Sequence, residues 1–318
     1  MNAFVPRAFP VVPLLLLLFV GGGWGAVPAL ARIAVTGGVR PMGYVFWVGV
    51  GAALVCWGLC LARGVRPRFS RRHLVYYLLS GCSRILVAGF VMYTVLGHVP
   101  AGIVAIVLGT APLLTFVASV SMRFEKFTFV RGGGVLLGLA GIVLMFGPGV
   151  GFDGAAGTGG SGTVGWIALG FLTPLIYACS NITIDRTRPA GEDSVALTAG
   201  MFTLVAALAL PLSLAMGQFH PLWRDGLSGP EVAMLAHATI IAICFYGLYE
   251  LIRRTDATFG SQSTYVTTLT GILYGMALLG ERPGVGVWAA VGCILCGVAL
   301  VNSGGKVRRE RGGRKVGP

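Results

Sequence analysis

Hydrophobic and polar positions fall in long blocks along this chain. Apolar runs of about 20 residues recur, each closed by Gly, Pro or charged positions. Ten runs are read, at 11–31, 42–62, 73–95, 99–122, 128–147, 162–184, 194–216, 230–251, 256–279 and 284–303. Each matches the thickness of the hydrocarbon core when coiled as a helix. Backbone polar groups in lipid must be satisfied internally, and these runs are too long and continuous for barrel strands. The pattern therefore predicts an all-α membrane protein with ten transmembrane helices. Pro100, Pro230 and Pro283 stand at first-turn positions, and Asp256 is placed to cap the ninth helix. The first run imitates a signal peptide, with Arg7 ahead of it and Ala29-Leu30-Ala31 near its end. It is read as a span, because its removal would leave nine runs.

Composition agrees: 55% of the 318 residues are hydrophobic and 11% charged, against about 25% charged in a soluble domain. A soluble enzyme and a disordered chain are excluded. The net charge of +13 could suggest nucleic acid, but in so apolar a chain it reads as cytoplasmic loops rich in Arg and Lys. With the N-terminus inside, nineteen basic residues fall on one side: Arg7, the cluster Arg63–Arg72, Arg123, Lys126, Arg131, Arg186, Arg188, Arg253, Arg254 and the tail Lys306–Lys315. Only Arg32, Arg40, Arg224 and Arg282 fall on the other. A multi-pass protein of the cell inner membrane with both termini cytoplasmic is expected. The seven cysteines lie in apolar runs, so Cys293-x-x-Cys296 is read as helix packing. Neither a metal nor a cofactor is expected.

A shift of 156 residues overlays the first half on the second without a gap. Tyr93 falls on Tyr249, Ala101 on Ala257, Glu125 on Glu281, Lys126 on Arg282 and Gly141 on Gly297. Five spans per half is an odd number, so the halves run in opposite senses. The expected organisation is two inverted five-helix repeats, 11–147 and 162–303, with a basic cytoplasmic tail at 304–318. Inverted repeats are an architecture of secondary transporters, with the site near the midplane between the halves.

Several short motifs lie in this duplicated frame. They are Trp24-Gly25, Leu96-Gly97-His98-Val99-Pro100-Ala101 followed by Pro112, Phe124-Glu125-Lys126, Gly138 with Gly141, and Leu279-Gly280-Glu281-Arg282 followed by Gly292 and Gly297. In that order the chain resembles the drug/metabolite transporter superfamily, EamA type, over about 11–303. The resemblance implies a ten-helix bundle that exports or exchanges small metabolites by alternating access. The chain departs from the pattern in two places: Thr268 stands where the first repeat has Pro112, and Arg84 is not part of it.

Arg84 lies twelve residues beyond Arg72, about 18 Å along a helix and near mid-bilayer. A central arginine costs on the order of 3 kcal/mol, so it must face the bundle interior or water. It is either an anchor for a carboxylate or phosphate group, or a structural arginine serving helix carbonyls or a buried acid. By helical spacing Tyr77, Ser80 and Gly81 share its face. The ninth run is unusually polar, and Gln262, Tyr265 and Thr268 are read as candidate substrate contacts, with Gly271 and Gly275 as helix-packing positions. Trp24 and Tyr177 are further candidates for cavity contact. Pro112 frees a backbone carbonyl and is read as a hinge. Glu250 and His237 are candidates for proton coupling, against an inner-end ion pair for Glu250 and a satisfied core histidine for His237. Glu125 and Glu281 are read as structural, each at the start of the following helix.

The leading reading is a secondary transporter, an exporter of a small organic metabolite, with proton coupling as an option. The partners are the substrate and the bilayer, with a homodimer left open and no nucleic acid. The alternatives are a sugar-phosphate or nucleotide-sugar exchanger of the same superfamily, disfavoured because no lysine lies in a span, and a membrane-embedded lipid-modifying enzyme. The acids available to such an enzyme, Asp185 and Glu192-Asp193, share one short loop without a repeated Asp-x-x-Asp spacing.

Overall fold

The computed structural model describes residues 11–124, 127–145, 152–153, 161–222, 227–255 and 257–312; side chains at 145, 152, 153, 161, 162, 185, 186, 257, 258 and 303–312 are not among those described. The architecture is an all-α membrane bundle. Eight helical stretches are long and apolar enough to cross a membrane. They are α1 (Val11–Thr36), α2 (Pro41–Arg63), α3 (Arg71–Leu96), α4 (Ala101–Ser121), α6 (Thr163–Ile184), α7 (Ser194–Ala215), α8 (Gly229–Arg254) and the apolar part of α10 (Val285–Asn302). Two shorter helices complete the ten runs: α5 (Phe129–Met145) and α9 (Ser263–Leu279), the latter preceded by the single turn Ala257–Ser261. The α10 backbone continues to Gly312, and the basic side chains of the tail lie outside the described residues. So do Glu125, Lys126 and the Asp256 cap.

Exchanging the halves maps the packing onto itself. Contact of α1 with α9 is matched by α6 with α4, α1 with α8 by α6 with α3, and α2 with α8 by α7 with α3. The pairs α2–α7, α4–α9 and α5–α10 each map to themselves. Without a hydrophobic drive between helices in lipid, close approach depends on small residues. Gly25 of α1 lies on Thr270 and Gly271 of α9, and Gly134 of α5 faces Gly297 of α10.

Four spans depart from one continuous α-helix. α3 is π-helical over Leu78–Val87. α4 breaks at Thr110, whose N–H bonds Val107 O at 3.1 Å, and Pro112 opens the second half. The break falls beside Pro112, the residue read as a hinge. α6 breaks at Phe171, between helical pieces Ser161–Gly170 and Leu172–Thr187. α9, expected to be continuous from 256, turns tightly at Gln262, which donates to Phe259 O at 3.0 Å and accepts from Tyr265 N–H at 3.1 Å. Pro283, expected in a first helical turn, instead belongs to a two-residue strand, β2 (Arg282–Pro283), which pairs antiparallel with β1 (Phe152–Asp153).

Glu281 corrects another expectation. It is structural, but it caps the helix before it in space rather than the one after it in sequence. Its carboxylate accepts from Ala101 N–H at 2.6 Å and Gly102 N–H at 2.8 Å, the first turn of α4. Arg32 of α1 stands 3.9 Å away and also donates to Val99 O. A carboxylate is favourable there because those N–H groups have no partner within the helix.

Candidate functional site

The π-helical stretch decides where Arg84 points. A wider turn places side chains at different angles from a 3.6-residue helix, so the shared face expected for Tyr77, Ser80, Gly81 and Arg84 does not form. Tyr77 packs on Gly200 of α7, and Gly81 on Met201 and Val205 of α7. Arg84 turns to α6 instead, donating to Asn181 Oδ1 at 2.7 Å with its guanidinium carbon 5.1 Å from the centre of the Tyr177 ring. Its neighbour Ser83 donates to Ser180 Oγ at 2.9 Å. Asn181 in turn donates to Thr115 Oγ1 of α4 at 3.4 Å.

A guanidinium carries five N–H donors in a planar fork. Asn181 accepts from it, and among the described residues no carboxylate pairs with it. Of the two structural roles open to it, the buried acid is not found among the described residues, and its described acceptor is a side-chain amide rather than a helix carbonyl. Arg84 and Tyr177, both candidates from the sequence, are brought together, and Asn181 is a neighbour of theirs that the sequence reading missed. Its signal was present: Asn181 lies one turn beyond Tyr177, on the same face of the same span.

The other candidates lie elsewhere. Trp24 stands edge-on to Phe245 of α8, ring centres 5.8 Å apart. Tyr265 accepts from Asn302 Nδ2 of α10 at 3.2 Å. Thr268 is buried against Gly109, at the end of the first half of α4, and donates to Thr264 O at 3.0 Å. Gln262 is half-buried at the α9 turn. The α4 break separates these two neighbourhoods: Ala101–Gly109 packs on α9, and Ala111–Ser121 packs on α6.

Glu250 accepts from Arg253 at 2.9 and 2.7 Å and from Arg254 at 2.6 Å. His237 is wholly buried and its Nδ1 lies 2.9 Å from Tyr44 Oη. At the end bearing the arginine cluster, Asp193 pairs with Arg63 at 3.1 Å and caps α7 through Val195 N–H, while Glu192 pairs with Arg68 and lies 3.4 Å from His73. These acids, the ones a lipid-modifying enzyme would draw on, are engaged in ion pairs. The Asp185 side chain lies outside the described residues. A shallow recess opens beside them between α2, α7 and α8, lined by Cys56, Ser194, Thr198 and Tyr249 among others. Arg63 stacks over the Tyr246 and Tyr249 rings at 5.7 and 5.8 Å.

A family model described as the EamA-like transporter family matches residues 12–147 and again 164–303. The chain belongs to the EamA-like transporter family. In this EamA-like protein the repeated match accounts for the self-mapping contacts above. The uncharacterized inner membrane transporter YedA of Escherichia coli strain K12 is 30% identical over 230 residues, covering 69% of this chain and 68% of that protein. The YedA proteins of strains CFT073 and O157:H7 match equally. A solved crystal structure, 22% identical, superimposes with a TM-score of 0.63 over 91% of this chain and 97% of its own, and so shares the fold. This EamA-like chain is a membrane transporter built from two repeats.

Proposed function

We propose that the chain is a secondary transporter of the inner membrane that exports a small organic metabolite bearing an anionic group, by alternating access. Arg84 supports this reading: a mid-span guanidinium that engages an amide and an aromatic ring and meets no described carboxylate. Its fork suits a carboxylate or a phosphate oxygen pair. Tyr177 and Asn181 orient it. Thr268 seats the hinge at Gly109 and Pro112, and Trp24, Gln262 and Tyr265, on the other side of the α4 break, form the alternative substrate contact. Removing the gene is expected to raise the transported metabolite inside cells and deplete it from the medium, read by metabolite profiling of both compartments. A profile that does not change would overturn the reading. A sugar phosphate or nucleotide sugar in that position would move the assignment to the exchanger branch.

The orientation proposed is both termini inside. Reporter fusions active only in the periplasm are expected to be active at residue 155 and silent at 68 and 310. Activity at 310 would mean an odd number of crossings and would remove the inverted arrangement.

A further inference from the structure

His237 lies in the third span of its repeat, as Arg84 does in the other. It is fully enclosed, and its Nε2 has no hydrogen-bond partner among the described residues. Its Nδ1 meets the Tyr44 hydroxyl at 2.9 Å, Tyr44 packs against Tyr93 with ring centres 4.4 Å apart and planes inclined by 55°, and Tyr93 stands edge-on to the imidazole at 6.1 Å. A polar nitrogen enclosed without a partner costs free energy that an apolar side chain would not.

Packing does not require this pair. Under the 156-residue shift Tyr44 corresponds to Gly200 and His237 to Gly81. The crossing of α7 with α3, the counterpart of α2 with α8, is thus built on two glycines, Gly200 against Tyr77 and Gly81 against Met201 and Val205. The same crossing is made once with a histidine–tyrosine pair and once without.

We propose that His237 is the proton-carrying residue of this transporter, with Tyr44 as the partner that accommodates both of its charge states. A neutral imidazole holds one proton. If Nδ1 accepts from the Tyr44 hydroxyl, Nε2–H has no described acceptor; if Nδ1 donates, the Nε2 lone pair has no described donor. Uptake of a proton completes an imidazolium with Nδ1–H donating to Tyr44 Oη and Nε2–H left for water admitted when that end opens. Facing it are Tyr44 from α2 and Tyr93 from α3. α7 carries no titratable residue, and Arg32 of α1 is engaged with Val99 O and Glu281. On α8 itself Glu231 is held by Ser228 and His220. No described carboxylate competes for the proton.

The proposal rests on the transporter reading but is tested without a substrate. The full-length chain is placed in vesicles of phosphatidylethanolamine and phosphatidylglycerol, and deuterium exchange at the imidazole C2 position is followed against pH, peptide by peptide. His237 is expected to exchange along a sigmoid, and Tyr44→Phe to move its midpoint by about half a pH unit or more, because the hydrogen bond to the charged form is lost. Backbone amides of α2 and α8 are expected to change protection with the same midpoint. His237→Asn puts an amide near the Nδ1 position, keeps the Tyr44 bond, and should abolish that pH dependence in folded protein. A His237 that exchanges at no pH, or a His237→Asn chain whose α2 and α8 amides keep the wild-type pH dependence, overturns the proposal. If either occurs in a chain that still exports its metabolite, the proton site falls and the transporter stands.

Discussion

Arg84→Gln is expected to lose substrate binding while the protein inserts and folds. The glutamine amide can still donate to Asn181 Oδ1, so no buried acceptor is orphaned at the position of the 2.7 Å bond. What disappears is the charge and the fork. Hydrogen bonds to charged groups are worth about 1.5–3 kcal/mol each, so one lost contact weakens binding by about 10- to 100-fold and two remove it from the measurable range. Arg84→Lys keeps the charge without the planar pair of donors and should fall between. Binding of the metabolite to purified protein, beside a melting curve of the same sample, separates the anchor from a structural role. Near-normal affinity in an unstable Arg84→Gln protein would sink the anchor and move the site to Gln262 and Tyr265.

The second large effect belongs to Glu281, 8% exposed at the start of α4. Glu281→Ala leaves the N–H groups of Ala101 and Gly102 without an acceptor and Arg32 without its counter-charge. Removing one partner of a buried ion pair typically costs about 3–5 kcal/mol. In a chain of this size that corresponds to a fall in melting temperature of about 10 °C, each kcal/mol shifting it by a few degrees. Glu281→Gln should lose less, since its carbonyl oxygen still accepts one of the two bonds. Thermal unfolding in detergent reads both. An Ala variant that melts with the wild type would mean that water satisfies these groups and that Glu281 holds nothing together.

Features imposed by the bilayer were legible in the sequence. Spans announced themselves because lipid tolerates no break in the apolar run. Arg84 stood out as a charge inside such a run, and Pro112 marked the α4 break because proline cannot donate to the preceding turn. What stayed hidden depended on partners far away in the chain. The Gln262 turn carries neither proline nor glycine at the break, only the polar run Ser261–Thr264. The π-helical stretch of α3 has no residue that forces it, so the face assigned to Tyr77 and Gly81 together with Arg84 did not form. Glu281 was placed by sequence adjacency, although its N–H partners are 180 and 179 positions away. Tyr44 and His237 are separated by 193 residues, and no periodicity in either helix announces the other.

The unequal breaks of α4 and α9 have an energetic meaning. Two inverted repeats of identical sequence would make the inward-facing and outward-facing forms interchangeable by a two-fold rotation in the membrane plane, equal in free energy, with an unloaded carrier divided evenly between them. Here one repeat bends at Thr110, ahead of a proline, and the other at Gln262, whose counterpart in the first is Ile106. The two bends lie at different depths and release different backbone groups, so the degeneracy is lifted. A difference of about 1.4 kcal/mol between them would hold ten empty carriers facing one way for every one facing the other. On the proposed alternating-access reading, the resting direction of the carrier would thus be set by its own backbone, before any substrate or gradient acts on it.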